Sequence, residues 1–243
     1  MTIKGVDDVS KLLEMLNFQV RSIYATANKY NSLNSVEGFS NPSNIARCTP
    51  TWDIDSLLPN WRETLAVAKH IVAFLEGEGV QNSVYLKWSG NGCHIHIHEE
   101  AISETALSKA HPLDLAYALV EYVNINVLRE IDEKLNVKGL NVENRMDVGR
   151  VFTCPLSLHR NLDVICICLK PNEIDSFSLE WIQPESFRHN THWRDFVSGE
   201  ADKLALKAYE TVGGYSMLKA GKKRATKRLN QQINKWLQKA WQI

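Results

Sequence analysis

The sequence predicts an α+β fold, with one main domain over residues 1–212 and a basic, amphipathic helical tail over 213–243. Three observations carry that prediction. Residues 61–76 and 112–135 both place apolar side chains at helical spacing. Between them, residues 84–88 and 94–98 read as two strands joined by a glycine turn. With 243 residues, 44% of them hydrophobic, the chain can bury one substantial core.

In chain order, residues 9–29 are expected to form a first helix, with Leu12, Leu13, Leu16 and Val20 near one face. The stretch 30–51 is rich in Asn, Ser and Pro and is expected mainly as loop. Residues 51–55 are short and apolar apart from their acids, which suits a strand. Pro59 and Asn60 precede the 61–76 helix, whose Leu65, Ala68, Val72 and Leu75 face a core. Gly77 and Gly79 end it. Pro112 opens the next long helix where a missing N–H costs least. Residues 137–142, 149–152 and 164–169 are strand candidates, Lys170-Pro-Asn172 breaks the last, and a helix is expected near 193–211. Gly213-Gly214 reads as a hinge, and 229–243 as an amphipathic helix. There is no internal repeat and no low-complexity tract.

Charge is balanced overall, 28 basic residues against 28 acidic, but unevenly placed. Residues 219–239 hold eight basic side chains and no acidic one, so the remainder carries a net charge of minus eight. A tail of this kind seeks an acidic partner, with Lys222, Lys223, Arg224, Lys227 and Arg228 as its nucleic-acid-binding candidates. Five cysteines without a paired CxxC spacing argue against a disulfide framework and a zinc ribbon. No signal peptide or membrane span is read, so a cytoplasmic protein is expected.

Three motifs carry chemistry. Asp53 and Asp55 alternate on a strand, so both carboxylates leave one face while Trp52 and Ile54 make the other face apolar. Two close carboxylates repel unless a cation sits between them, and Mg²⁺ held by carboxylates and substrate phosphates is the usual polymerase solution. The turn Ser89-Gly90-Asn91-Gly92-Cys93-His94 offers bare N–H groups beside a hydroxyl and an imidazole, suited to a phosphate. His94, His96 and His98 share one strand face. The third motif, residues 147–160, gathers Asp147, Arg150, Ser157, His159 and Arg160 around a proline-bearing turn, and guanidinium and imidazole donors suit a triphosphate. Taken singly, each has a bland reading: a solvated strand end, a tight hairpin, a salt-bridged loop.

In order and spacing the three motifs together resemble the archaeo-eukaryotic primase superfamily, in particular its small catalytic subunit, from about Arg47 to about Trp193. The resemblance rests on Asp53-Ile-Asp55, the Ser89–His94 turn and Cys154-Pro-Leu-Ser-Leu-His159, each separated by a helix. It implies a primase-polymerase catalytic fold, with a mainly antiparallel central sheet flanked by helices. It further implies that Asp53, Asp55 and a third carboxylate bind two catalytic ions, Mg²⁺ or Mn²⁺. Ser89, Gly90, Asn91, Gly92 and His94 would hold the incoming NTP or dNTP, with Ser157, His159, Arg150 and Arg160 on its triphosphate. In an ungapped alignment on Pro155 and His159, Asn141 stands at the third acid. Asp147 is the expected substitute, and Glu143 the next.

The expected function is therefore template-directed nucleotidyl transfer, a DNA primase or primase-polymerase working on a DNA template. Expected partners extend to a primase large subunit or a helicase, in an archaeal, bacterial, plasmid or viral replication setting. Two other classes compete. A degenerate primase-fold subunit would bind nucleic acid without synthesis. The run His94-Ile-His-Ile-His98 also resembles the histidine-triad nucleotide hydrolases, with His96 as nucleophile, but Glu99 and Glu100 stand where that family has apolar residues.

Overall fold

In the computed structural model, residues 6–33, 37–135 and 140–215 are described; the expected tail helix and the basic run lie outside them. The elements are α1 (Val6–Met15), β1 (Tyr24–Thr26), β2 (Asn28–Tyr30), β3 (Ile45–Cys48), β4 (Thr51–Asp55), α2 (Trp61–Gly77) and β5 (Val84–Trp88). They continue with β6 (Cys93–Ile97), α3 (Glu104–Leu107), α4 (Pro112–Leu135), β7 (Asn141–Asn144), β8 (Val151–Thr153), β9 (Ile167–Leu169) and α5 (Asp202–Val212). The protein is α+β, as expected. Its centre is a five-stranded sheet of order β7-β4-β6-β5-β9 in which every neighbouring pair is antiparallel.

Strand alternation sorts this sheet into two unlike faces. On one, Trp52, Ile54, Leu86, Trp88, Ile95 and Ile97 are completely buried. Leu65, Ala68, Ile71 and Leu75 of α2, with Leu115 and Leu119 of α4, complete this core. The Trp52 indole N–H still finds an acceptor in the Val120 carbonyl at 3.2 Å, as a buried indole requires. α5 packs on α4 through Leu204, Ala205 and Ala208. The helices thus share the apolar side. The opposite face carries the polar residues of the same strands, and the β1–β8 ribbon lies over part of it, bringing Phe152 within 4.8 Å of the His94 ring. No helix among the described residues is long and apolar enough to cross a membrane.

Three expectations need correction. The helix expected over 9–29 stops at Met15, where Asn17 and Phe18 turn the chain with positive φ of 55° and 54°. The following Tyr24–Thr26 pairs instead with β8, an extended state that its aromatic and β-branched residues favour. The supposed loop 30–51 contains β3, paired to β2. The helix near 193–211 begins only at Asp202, because Gly199 at φ 79° and a series of turns precede it.

Candidate active site

The antiparallel register builds the polar face row by row. Asp53 lies opposite His94 on one side and Glu143 on the other, and Lys87 and Cys168 extend the same row. In the next row Asp55 faces Asn141. Directly opposed residues project to the same face a few ångströms apart. Three carboxylates, Asp53, Asp55 and Glu143, therefore converge from two adjacent strands. Convergence alone would be repulsive.

Two arginines relieve it. Arg150 reaches Asp53 Oδ2 at 2.5 Å, and Arg145 lies 2.9 Å from Asp55 Oδ2 and 3.6 Å from Asp53 while also pairing with Glu143. His94 Nε2 stands 3.1 Å from Asp53 Oδ1 and 3.3 Å from Ser89 Oγ. Burial alone would raise the Asp53 pKa, but His94, Arg150 and Arg145 outweigh it and hold the carboxyl at about 2. Burial likewise pushes His94 below the ordinary histidine range, against the pull of Asp53. Its share at neutral pH is then a hydrogen bond from Nε2–H, and the arginines supply the charge. Asp55 goes the other way: burial and the Asp53 charge raise its pKa.

The glycine turn and the third motif meet. Gly90 has φ 125°, and a side chain there would strike the His159 ring, 2.6 Å from Cδ2. His159 Nδ1 accepts from the Leu162 and Asn161 amides at 3.1 and 3.3 Å. That places the ring proton on Nε2, a donor against the turn. Arg21 fixes the loop behind it, donating to the carbonyls of His159, Arg160 and Leu162 and pairing with Asp163. Ser157 is buried, its Oγ accepting from the Ile23 amide at 2.7 Å, and Arg160 is exposed.

Beside the acid row, the polar face opens into a cleft of about 220 Å³ that does not include Asp53 or Asp55. Lys87, His96, Asn28, Tyr85, Phe152, Trp193 and Arg194 are among its walls.

The structure thus joins Asp53, Asp55, Ser89, His94 and Arg150, and sets Gly90 against His159. Arg150 meets an acid rather than open space for a triphosphate. Asp147 is engaged differently from the expectation: its Oδ1 accepts the Gly149 amide at 2.8 Å within a tight turn, and Glu143 is the acid in register with Asp53. Arg145 and Arg21 had no motif to announce them, and Lys87 was noticed only as part of the turn's surroundings. Oxygen-only donors at Asp53, Asp55 and Glu143 suit a hard divalent cation in kind. As the arginines hold them, no three His, Cys, Asp or Glu side chains among the described residues are grouped as a metal site. His96, the nucleophile of the histidine-triad alternative, is only 2% exposed, with Nδ1 bonded to Thr51.

No protein-family model matches the chain, and no curated protein matches it. Among solved structures, it is similar to the polymerase domain of Mycobacterium tuberculosis Ligase D in complex with DNA. The identity is 12% and the TM-score 0.47, over 88% of this chain and 70% of that one.

Proposed function

We propose that this chain is a template-directed nucleotidyltransferase of the primase or primase-polymerase type. The observation that carries this reading is the register that brings Asp53, Asp55 and Glu143 to one sheet face beside His94. Asp53, Asp55 and Glu143 would hold Mg²⁺ or Mn²⁺, which supplies charge stabilisation and a more acidic attacking hydroxyl when bound. Arg145 bridges all three acids, so it has to swing aside for loading and then becomes a free donor. Ser89, the amides of Gly90 to Gly92 and His159 Nε2–H receive the phosphates of the NTP or dNTP. His94, hydrogen-bonded to both Asp53 and Ser89, keeps the acid and phosphate positions in fixed relation. The 3′ hydroxyl of a primer or first nucleotide then attacks the α-phosphate, and pyrophosphate leaves.

De novo priming and primer extension on a single-stranded DNA template, with Mg²⁺ or Mn²⁺, test this reading. The wild type is expected to synthesise. Glu143→Gln should lower the rate by about a hundredfold or more, because a lost ligand removes charge stabilisation at the reacting phosphate, whereas Asp147→Asn should stay within a few-fold of wild type. The reverse order would restore Asp147 as the third acid. Template binding without synthesis would leave the degenerate, binding-only subunit.

Lys222, Lys223, Arg224, Lys227 and Arg228 are proposed to bind template phosphates. Truncation after Gly221 is expected to weaken DNA binding and flatten its dependence on salt, since fewer counterions are released. Unchanged affinity and slope would remove the tail from the template site.

A further inference from the structure

The cleft next to the acid row holds polar groups that the chemistry above does not use. Lys87 is almost wholly buried, yet no carboxylate among the described residues pairs with its ammonium. Its nearest favourable contact is the Phe152 ring, 5.1 Å away. An isolated buried cation is costly, so the site is incomplete without an anion.

His96 adds a second demand. Thr51 donates its hydroxyl proton to the Thr49 carbonyl at 2.9 Å, so at 2.8 Å from His96 Nδ1 the same oxygen can only accept. The proton of His96 is therefore on Nδ1, and Nε2 is a bare acceptor. That Nε2 is buried without a partner. Asn28 repeats the pattern: its amide nitrogen donates to the Asp147 and Val148 carbonyls, each at 3.1 Å, which fixes the orientation and leaves Oδ1 buried and unpartnered. Two orphaned acceptors and an unpaired cation thus line one cleft. Buried polar groups without partners point to a missing ligand or water. The complement is a molecule with an anionic oxygen and neighbouring hydroxyl donors.

We propose that this cleft takes the ribose–phosphate portion of a ribonucleotide, with Lys87 against a phosphate oxygen and with His96 Nε2 and Asn28 Oδ1 accepting from the sugar hydroxyls. Tyr85, stacked on His96 with ring centroids 4.7 Å apart, holds the imidazole in place. His96 follows His94 by two residues on β6, about 7 Å along the strand, so one nucleotide spans both. This proposal rests on the polymerase reading of the acid row and adds to it a choice of sugar.

Calorimetric titration with ATP, 2′-deoxy-ATP and inorganic tripolyphosphate separates the two claims, because binding needs no synthesis. Wild-type protein is expected to bind ATP at least tenfold more tightly than 2′-deoxy-ATP, since a site built to bond a hydroxyl rejects the analogue without it. His96→Phe keeps a ring against Tyr85 but removes the acceptor, and should bring the two nucleotides within twofold. Lys87→Met should weaken both nucleotides and tripolyphosphate tenfold while keeping the ribose preference. Thr51→Val, which releases the tautomer without entering the contact, should reduce the preference even where His96→Phe does not fold. Equal binding of ATP and 2′-deoxy-ATP by the wild type, or an unchanged preference in Thr51→Val, overturns the proposal. Sugar-dependent binding without primer synthesis would keep it and remove the polymerase reading; synthesis without sugar preference would do the opposite.

Discussion

Asp53→Asn is expected to abolish metal-dependent nucleotide addition, by about a thousandfold or more, while the protein remains folded. Two roles meet on this carboxylate. It is the one acid that His94, Arg145 and Arg150 all reach, and it stands between His94 and Glu143 in the sheet. Asparagine preserves its shape and its acceptor oxygen for His94, but removes the charge on which a divalent ion depends. Some stability is lost as well, because Arg150 then lacks its full counter-charge. Both arginines keep part of their side chains in solvent, which moderates that loss. Primer extension beside a thermal melt reads the two effects apart. Near-normal synthesis by a folded Asp53→Asn protein would remove the metal assignment.

Gly92→Ala should be the most damaging single-methyl change to the fold itself. An alanine Cβ at this position would lie 2.3 Å from the Ile54 carbonyl oxygen, a backbone atom fixed in the β4–β6 ladder. No rotamer change relieves such a clash. Either the turn lifts away or β4 shifts, and β4 carries both Asp53 and Asp55. Overpacking that moves backbone costs on the order of 3 kcal/mol, or roughly 6–12 °C in melting temperature for a chain of this size. Gly77→Ala is the matched control, since a Cβ there meets nothing within 4 Å. It should leave the melting temperature unchanged or slightly raised. Equal melting temperatures for the two variants would mean that the turn yields more readily than its geometry implies.

Local signals announced much of this architecture. The α2 and α4 helices were legible from apolar spacing, and α4 runs from Pro112 to Leu135 as expected. The Asp53–Asp55 alternation and the Ser89–His94 turn were legible because each is complete within six residues. Long-range pairing was not. Whether Asn141, Glu143 or Asp147 joins the acids depends on how β7 aligns with β4, and a shift of one residue would reverse which side chains face Asp53. Arg145 was invisible for the same reason. Residues 9–29 misled because Leu12, Leu13 and Leu16 continue a helical spacing into a stretch where positive φ at Asn17 and Phe18 ends the helix. Alternation could place Lys87 on the face of His94, but not show that it would be buried without an acid.

The five-strand row has a consequence for how activity is gained and lost. Its members, Asp53, Lys87, His94, Glu143 and Cys168, span 116 residues of chain and meet only through the closed sheet. No fragment of contiguous sequence contains the site, and partial unfolding that releases either edge strand dismantles one end of it. Such nonlocal assembly ties the appearance of function in folding to the late, cooperative pairing of distant strands. A nascent or proteolytically nicked chain therefore has little scope for unregulated chemistry: the reactive arrangement and the native sheet come into being together.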